Sequence, residues 1–279
     1  MANRLFSVII PTYNRAYVLW KALLSVVNQD YYNWEAIVVD NGSTDDTFKL
    51  VKEFKEKRIK YIRQENLGPC IARNNGLKEA RGDFVCYLDS DNEFRSDYLY
   101  YLNEHLDFRP NARFGICNQN VRWELYDDDW DLVAFAEESS SFGDEISLEQ
   151  LIERSKRFDA NSLFHVNVPQ IAWEPRVKYL HDWELMIRLA KEFPEGFMYI
   201  PLSLVKYYSR YGKDGMCANV TYREWQEDYI AIWELHRASK MRPSDEWFKE
   251  KIRKYDVLIA ESGGDDVGHR VERVFGRRR

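Results

Sequence analysis

Two carboxylates stand two residues apart in Asp89-Ser90-Asp91, directly behind the apolar run Phe84-Val85-Cys86-Tyr87-Leu88. Carboxylate oxygens suit a hard divalent cation, which keeps coordination positions open for phosphate oxygens. A cation on Asp91, with Asp89 as the secondary ligand, would neutralise charge gathering on a departing diphosphate. The same triplet is common in solvated turns, and the buried strand in front of it favours the ligand reading. Asp40 closes a second apolar run, where it either accepts from a ribose hydroxyl or base imide, or serves as a turn or capping aspartate. Arg73 lies in Ile71-Ala72-Arg73-Asn74-Asn75-Gly76, and either reaches a base or phosphate or is a surface arginine. In His181-Asp182-Trp183-Glu184, Asp182 is either a helix N-cap or a general base for an acceptor hydroxyl. The segment from Tyr207 to Gly215 is expected to be a flexible, tyrosine-rich loop. Its Arg210 or Lys213 could contact a diphosphate, or it is an ordinary connection. Asp127-Asp128-Asp129 lacks the spacing of a calcium loop and reads as solvated.

These groups need a scaffold that brings them together. Phe6 to Ile10 reads as a buried strand stopped by Pro11. Ala16 to Gln29 has helical spacing, with Val18, Leu19, Ala22, Leu23, Val26 and Val27 on one side. Glu35 to Asp40 is a second strand, and Ser43 or Thr44 is expected to cap a helix reaching Phe54. Ile59 to Ile62 is a strand, Gly68 to Ala80 a helix, and Phe84 to Leu88 a fourth strand. Alternation of this kind implies a largely parallel α/β sheet with helices on both faces. Ligands in such sheets bind beyond the carboxyl ends of the strands. Those ends carry Pro11-Thr12-Tyr13-Asn14, Asp40-Asn41-Gly42-Ser43 and Asp89-Ser90-Asp91-Asn92, so the polar groups gather where the topology places a pocket.

Beyond Asn92 the pattern loosens. Helices are expected over Asp97 to Phe108, Leu148 to Arg157 and Trp183 to Glu192, and a strand over Phe114 to Leu125. Tyr126 to Ser141, acidic and serine-rich, reads as a loop. Thr221 to Ser239 and Asp245 to Ala260 are aromatic-rich amphipathic helices. Trp123, Trp130 and Trp173 either stack on a sugar ring or pack in the core. The expected domains are residues 1–220, split into a nucleotide-binding half (1–110) and an acceptor half (111–220), followed by a helical extension over 221–279. The extension ends in a basic, frayed tail from Gly263 that carries Arg270, Arg273, Arg277, Arg278 and Arg279.

The chain has 279 residues and a formal net charge of −6, which argues against nucleic acid as the main partner. Cys70, Cys86, Cys117 and Cys217 form no CxxC pair and read as reduced thiols of a cytoplasmic protein. No apolar run approaches the roughly 20 residues needed to span a bilayer, so any membrane contact is expected to be peripheral, at its inner face. The start of the chain shows no signal-peptide pattern.

Taken in order, the motifs resemble the family 2 glycosyltransferases of GT-A fold. Ser7-Val8-Ile9-Ile10-Pro11-Thr12-Tyr13-Asn14 is similar to the family's opening strand and nucleotide loop. Val38 to Thr47 is similar to its second motif, and Asn66-Leu67-Gly68 with Ala72 to Gly76 to its third. Leu88-Asp89-Ser90-Asp91 is similar to its metal motif. The resemblance is close from Ser7 to Tyr98, looser to about Tyr211, and absent beyond. It implies a GT-A, Rossmann-like mixed sheet, mostly parallel, flanked by helices.

For the residues, the resemblance implies that Asp40 and Arg73 contact the base, typically uracil. Thr12 and Tyr13 would line the nucleoside pocket, Asp89 would face the ribose and metal region, and Asp91 would bind Mn or Mg through the diphosphate. Asp182 matches the aspartate of a Glu-Asp catalytic-base pair, but His181 stands where the glutamate is expected. Asn92 stands where many members carry a further aspartate. The expected nucleotide-sugar site is thus Pro11, Thr12, Tyr13, Asn14, Asp40, Arg73, Asp89, Ser90 and Arg210, with Asp182 as base. The expected reaction is metal-dependent, inverting transfer from a nucleotide sugar, with a UDP-sugar favoured, to a hydroxyl of a glycan or other acceptor. A sugar-phosphate nucleotidyltransferase is the alternative enzyme, but the first loop lacks the glycines it would need. A non-catalytic scaffold or sugar-binding subunit is the third possibility, opposed by the intact Asp89, Asp91 and Asp182.

Overall fold

Strand β1 (Phe6–Thr12) is buried along its whole length and lies between β2 (Trp34–Asp40) and β4 (Phe84–Tyr87), parallel to both. The computed structural model describes residues 2–126, 132–140, 145–153, 158–168, 170–211, 220–239 and 242–262. Helices α1 (Ala16–Val27), α2 (Thr47–Glu53) and α3 (Pro69–Glu79) alternate with β1, β2, β3 (Ile59–Arg63) and β4 in chain order. The sheet runs in the order β3-β2-β1-β4-β8-β6-β9-β5. Its second half consists of β5 (Glu93–Phe94), β6 (Phe114–Tyr126), β8 (Leu163–Val166) and β9 (Phe197–Tyr211), with β7 (Leu132–Ser140) paired to β6 off this path. The β4–β8, β6–β8, β6–β7 and β5–β9 pairs are antiparallel, while β6–β9 is parallel, so the sheet is mixed.

Residue parity divides the core, as pleating requires. Ile9, Ile37, Val39, Val85 and Tyr87 face a cluster that includes residues of α3, α5 (Leu148–Glu153) and α6 (His181–Glu192). The same cluster takes in Tyr229 and Ile232 of α7 (Tyr222–His236) and Phe248 and Tyr255 of α8 (Asp245–Ser262), so this helix pair shares the sheet's core. Val8, Ile10, Ala36, Val38, Cys86 and Leu88 face the other way, onto α1 and α4 (Tyr98–Phe108). Gly76 brings α3 down onto β1, because a Cβ there would lie 2.5 Å from Cγ2 of Ile9. Arg73 stands one turn earlier on the same helix and thereby reaches the sheet's carboxyl edge.

Several local expectations need correction. Leu132 to Ser140, expected as loop, is a strand. Its acidic residues are answered across the sheet: Arg122 of β6 lies opposite Glu137 and pairs with it at 2.9 Å, and its guanidinium covers the Phe135 ring at 4.1 Å. Tyr207 to Tyr211, expected at the start of a flexible loop, completes β9 against Val121 to Leu125 of β6. Its tyrosines favour a pleated surface, and this local preference was hidden by the neighbouring charges. Neither Ser43 nor Thr44 caps α2; the helix begins at Thr47, whose N–H and hydroxyl donate to Asp45. Helix α6 begins at His181 after Leu180, so Asp182 sits inside the first turn and is not the N-cap. Asp127 to Asp129, Trp130, residues 154–157, Lys213, Cys217 and the basic tail lie outside the described residues.

Candidate active site

The three loops at the carboxyl edge of the first sheet half are laced together by side chains. Asn14 adopts positive φ (50°), its N–H donates to Ser43 Oγ at 2.9 Å, and its Oδ1 accepts from the Thr44 N–H at 2.8 Å. The Asn41 N–H donates to the Thr12 carbonyl at 2.8 Å, and Asn41 Nδ2 donates to Asn66 Oδ1 at 2.7 Å. Buried Asp40 accepts from the Ser43 N–H at 2.7 Å and from the Tyr61 hydroxyl. Asp40 therefore holds its own loop, with lone pairs left over on both oxygens. Pro11, Thr12 and Ser90 are buried, and Tyr13 stands out from the surface at 44% exposure.

Asp89 faces α3. Arg73 Nη2 donates to its Oδ1 at 2.6 Å, and Asn161 Nδ2 donates to its Oδ2 at 3.1 Å. Asn161 Oδ1 accepts in return from the Asp89 N–H at 2.6 Å. Burial pushes the Asp89 carboxyl up, but the charge and hydrogen bond of Arg73, with Asn161, hold it below its ordinary value. Arg73, expected either at the ligand or on the surface, is buried. Its other nitrogen, Nη1, meets His181 Nε2 at 3.1 Å, and its guanidinium lies over Trp173 at 4.6 Å. Burial, followed by the charge of Arg73, drives the His181 imidazole down to about 3, so it is neutral.

Asp91 anchors a second cationic group. Its Oδ2 pairs with Arg15 and lies 3.4 Å from Arg210 Nη1. Arg210 is itself buried on β9 and pairs with Glu124 of β6 at 3.3 Å. Thr12 Oγ1 and Arg73 Nε are buried without a hydrogen-bond partner, and Arg210 Nη1 has only its 3.4 Å ion pair with Asp91. Orphaned polar atoms of this kind are uncommon in native interiors and mark where a polar ligand would restore what water has lost.

Among the described residues, no three His, Cys, Asp or Glu side chains converge as an all-protein metal cage. The donor set still fits Mg or Mn, which bind through one or two carboxylates and draw their remaining ligands from phosphate and water. Asp91 would hold the cation. Asp89, the expected second ligand, has both oxygens committed to Arg73 and Asn161.

Asp182 projects from the first turn of α6, partly open to solvent. Its Oδ1 accepts from the Trp183 N–H at 2.8 Å, and among the described residues it has no other hydrogen bond. Burial, then the negative charge of Asp159, raises its carboxyl to about 7. A carboxylate of that basicity is matched to taking a proton near neutral pH. Asp159 is itself raised to about 6 by burial and by Asp89, and is held by Asn161.

The structure thus assembles Arg73, Asp89 and His181 as one group and Asp91 with Arg210 as another. Among the described residues Arg73, on α3, makes no hydrogen bond to Asp40, which closes β2 and binds Ser43 and Tyr61 instead. Several participants went unassigned in the sequence. Arg15 directly follows the first loop motif, so its position was readable. Asn92 is buried and accepts from the Tyr208 N–H at 2.8 Å, tying the end of β4 to β9. Glu124, Asp159 and Asn161 come from the segment beyond residue 110, where no motif marks them. Of the tryptophans offered for sugar stacking, Trp173 is core, with its ring against Tyr87 and Arg73.

The family model described as glycosyl transferase family 2 matches residues 7–168. A GalNAc(5)-diNAcBac-PP-undecaprenol beta-1,3-glucosyltransferase of Campylobacter jejuni is 46% identical over 91 residues, covering 31% of this chain and 29% of that protein. A UDP-Glc:alpha-D-GlcNAc-diphosphoundecaprenol beta-1,3-glucosyltransferase of Escherichia coli is 42% identical over 93 residues, 33% of this chain and 37% of that protein. The matched part is thus well under half of either relative, and only 13% of an uncharacterised glycosyltransferase of Rickettsia bellii. In fold, the chain is similar to S. aureus TarS 1-349 in complex with UDP-GlcNAc, with TM-score 0.67, 19% identity, and 92% of this chain and 72% of that one covered. It is also similar to the mannosyltransferase PcManGT of Pyrobaculum calidifontis in complex with GDP-Man and Mn2+, with TM-score 0.57, 17% identity, and 94% and 77% covered. With the family model matched over more than half its length, and the family's motifs at the carboxyl edge of its sheet, the chain belongs to glycosyltransferase family 2.

Proposed function

We propose that the chain is a metal-dependent, inverting glycosyltransferase that moves a sugar from a UDP-sugar to a hydroxyl of a glycan acceptor. The observation that supports this reading is the placement of Asp182, partly open, directly after His181 of the Arg73–Asp89 cluster, with burial raising its carboxyl to about 7. Asp182 takes the proton of the acceptor hydroxyl as that oxygen attacks the anomeric carbon. The sugar leaves its diphosphate in a single displacement and its configuration inverts. Arg210 and Arg15 turn from Asp91 to diphosphate oxygens, where a charge-assisted contact is stronger than a neutral one. Arg73 contacts the nucleoside, and Asp89 keeps it in place. Asp91 would hold a divalent cation, which would neutralise the leaving diphosphate as a Lewis acid.

The choice of uracil rests on the UDP-Glc named for the E. coli relative and the UDP-GlcNAc complex of TarS. Two relatives are named for acceptors linked through diphosphate to undecaprenol. Among the described residues no helix is long and apolar enough to cross a membrane. A panel of nucleotide sugars with Mn tests the reading by following nucleoside diphosphate release. Release of UDP with transfer of the sugar supports it; release of pyrophosphate instead would sink it.

A further inference from the structure

Buried Asp228 lies on α7, outside the part of the chain that matches the family. Its carboxylate accepts three consecutive backbone N–H groups, those of Lys178 (2.9 Å), Tyr179 (2.6 Å) and Leu180 (2.8 Å). These residues lead directly into α6. The carbonyl of Lys178, in the same clamped segment, lies 2.9 Å from His181 Nδ1. A carbonyl can only accept, so Nδ1 carries the proton. On the other side of the ring, Arg73 Nη1 stands 3.1 Å from Nε2. A guanidinium can only donate, so Nε2 presents its lone pair. Both contacts demand one neutral tautomer. Trp173 completes the seat: its ring is edge-on to His181 at 5.4 Å and lies under the Arg73 guanidinium at 4.6 Å.

We propose that Asp228, the Lys178 carbonyl and His181 form a positioning chain that aims Arg73 at the nucleotide, making helix α7 a working part of the donor site. His181 stands where the resemblance to the family expects a glutamate. A carboxylate there would be a second anion against Arg73, whereas imidazole accepts the hydrogen bond and leaves Asp89 as the ionic partner. Neither His181 nor Asp228 touches substrate in this account. The inference rests on the reading of Arg73 as a nucleotide contact.

The test is calorimetric titration of UDP with Mn into the full chain, with a melting curve for each variant. Arg73→Ala, His181→Ala, His181→Gln, Asp228→Asn and the His181→Ala/Asp228→Asn pair are compared with wild type. His181→Ala is expected to weaken UDP roughly tenfold, because it removes one acceptor from a buried cation. His181→Gln restores a neutral acceptor and is expected to recover most of that loss. Asp228→Asn cannot accept all three N–H groups and is expected to weaken UDP as well. The double variant is expected to bind no worse than the weaker single one, since both act through one chain of contacts. The imidazole nitrogens of His181 are expected to report protonation at Nδ1 in wild type and a changed pattern in Asp228→Asn. If Arg73→Ala loses UDP while His181→Ala and Asp228→Asn bind like wild type, with only their melting points lowered, this inference is overturned and the donor reading stands. If Arg73→Ala itself binds UDP normally, the donor reading of Arg73 fails and takes the inference with it.

Discussion

Arg73 and Asp89 meet through a 2.6 Å hydrogen bond between Nη2 and Oδ1, which makes the first carboxylate of the strand-end triplet an anchor for a buried cation. Asp89→Asn would keep the shape and remove the charge, leaving the Arg73 guanidinium without its ionic partner. A stability loss on the order of 2 kcal/mol is expected, at the lower side of what a stranded buried charge costs because Asp89 is partly exposed. Denaturant unfolding of the variant measures it. A midpoint equal to wild type would mean that the pair carries no weight.

Asp182 should govern the pH dependence of turnover. With its carboxyl raised to about 7, the competent base form accumulates as pH rises, so kcat/KM should climb up to about tenfold per unit below 7 and level off above it. The same shift has a stability cost. The folded carboxyl keeps its proton up to about 7, whereas the unfolded one releases it near the ordinary 3.8, so the folded state binds more protons between these values. Stability from this group is therefore present at low pH and lost as pH rises through 7. Asp182→Asn should melt higher than wild type at pH 8, by roughly 2–4 °C for ~1 kcal/mol in a chain of this size, with the gain shrinking at pH 5. Thermal melts at the two pH values check this.

Arg210 distinguishes a diphosphate from a bare nucleoside. Arg210→Ala should weaken UDP roughly tenfold or more and leave uridine affinity unchanged, because a charge-assisted contact to phosphate is lost. Asp91→Ala should abolish the dependence of UDP affinity on added Mn. Paired titrations with and without chelator measure both effects, and an Arg210→Ala protein that loses uridine affinity equally would point to general damage.

Gly76→Ala should weaken both fold and site. The added Cβ falls 2.5 Å from Ile9 Cγ2 and 3.1 Å from Val39 Cγ2, so α3 must move off the sheet and carry Arg73 with it. A destabilisation of about 1–3 kcal/mol is expected, with weaker UDP binding. Chemical unfolding together with UDP titration tests the two effects in one protein.

The first sheet half was legible in the sequence because β1, β2 and β4 are buried along their length and end in turn residues, which local pattern reports directly. Asp40, Asp89 and Asp91 fall at strand ends as that pattern required. The role of Asp89 was not legible, since nothing local to residues 84–92 shows that Arg73 and Asn161 would occupy both its oxygens. Strand β7 was missed because its acidic, serine-rich face is stabilised by partners on β6, such as Arg122, that lie outside its own window. Arg210, expected as a diphosphate contact on a flexible loop, lies on β9 within 3.4 Å of Asp91, because Tyr207 to Tyr211 becomes strand only through its pairing with β6. The contribution of α7 was invisible for the same reason: Asp228 acts on backbone N–H groups, which leave no mark on side-chain identity.

The most direct test of the central claim compares wild type and Asp182→Asn at pH 8 with Mn and a UDP-sugar, measuring UDP release alongside UDP affinity. With Asp182 as the base, UDP affinity is retained while turnover falls by roughly 10²–10⁴-fold, the usual contribution of a positioned general base. Turnover at the wild-type rate in Asp182→Asn, with UDP still bound, would contradict it.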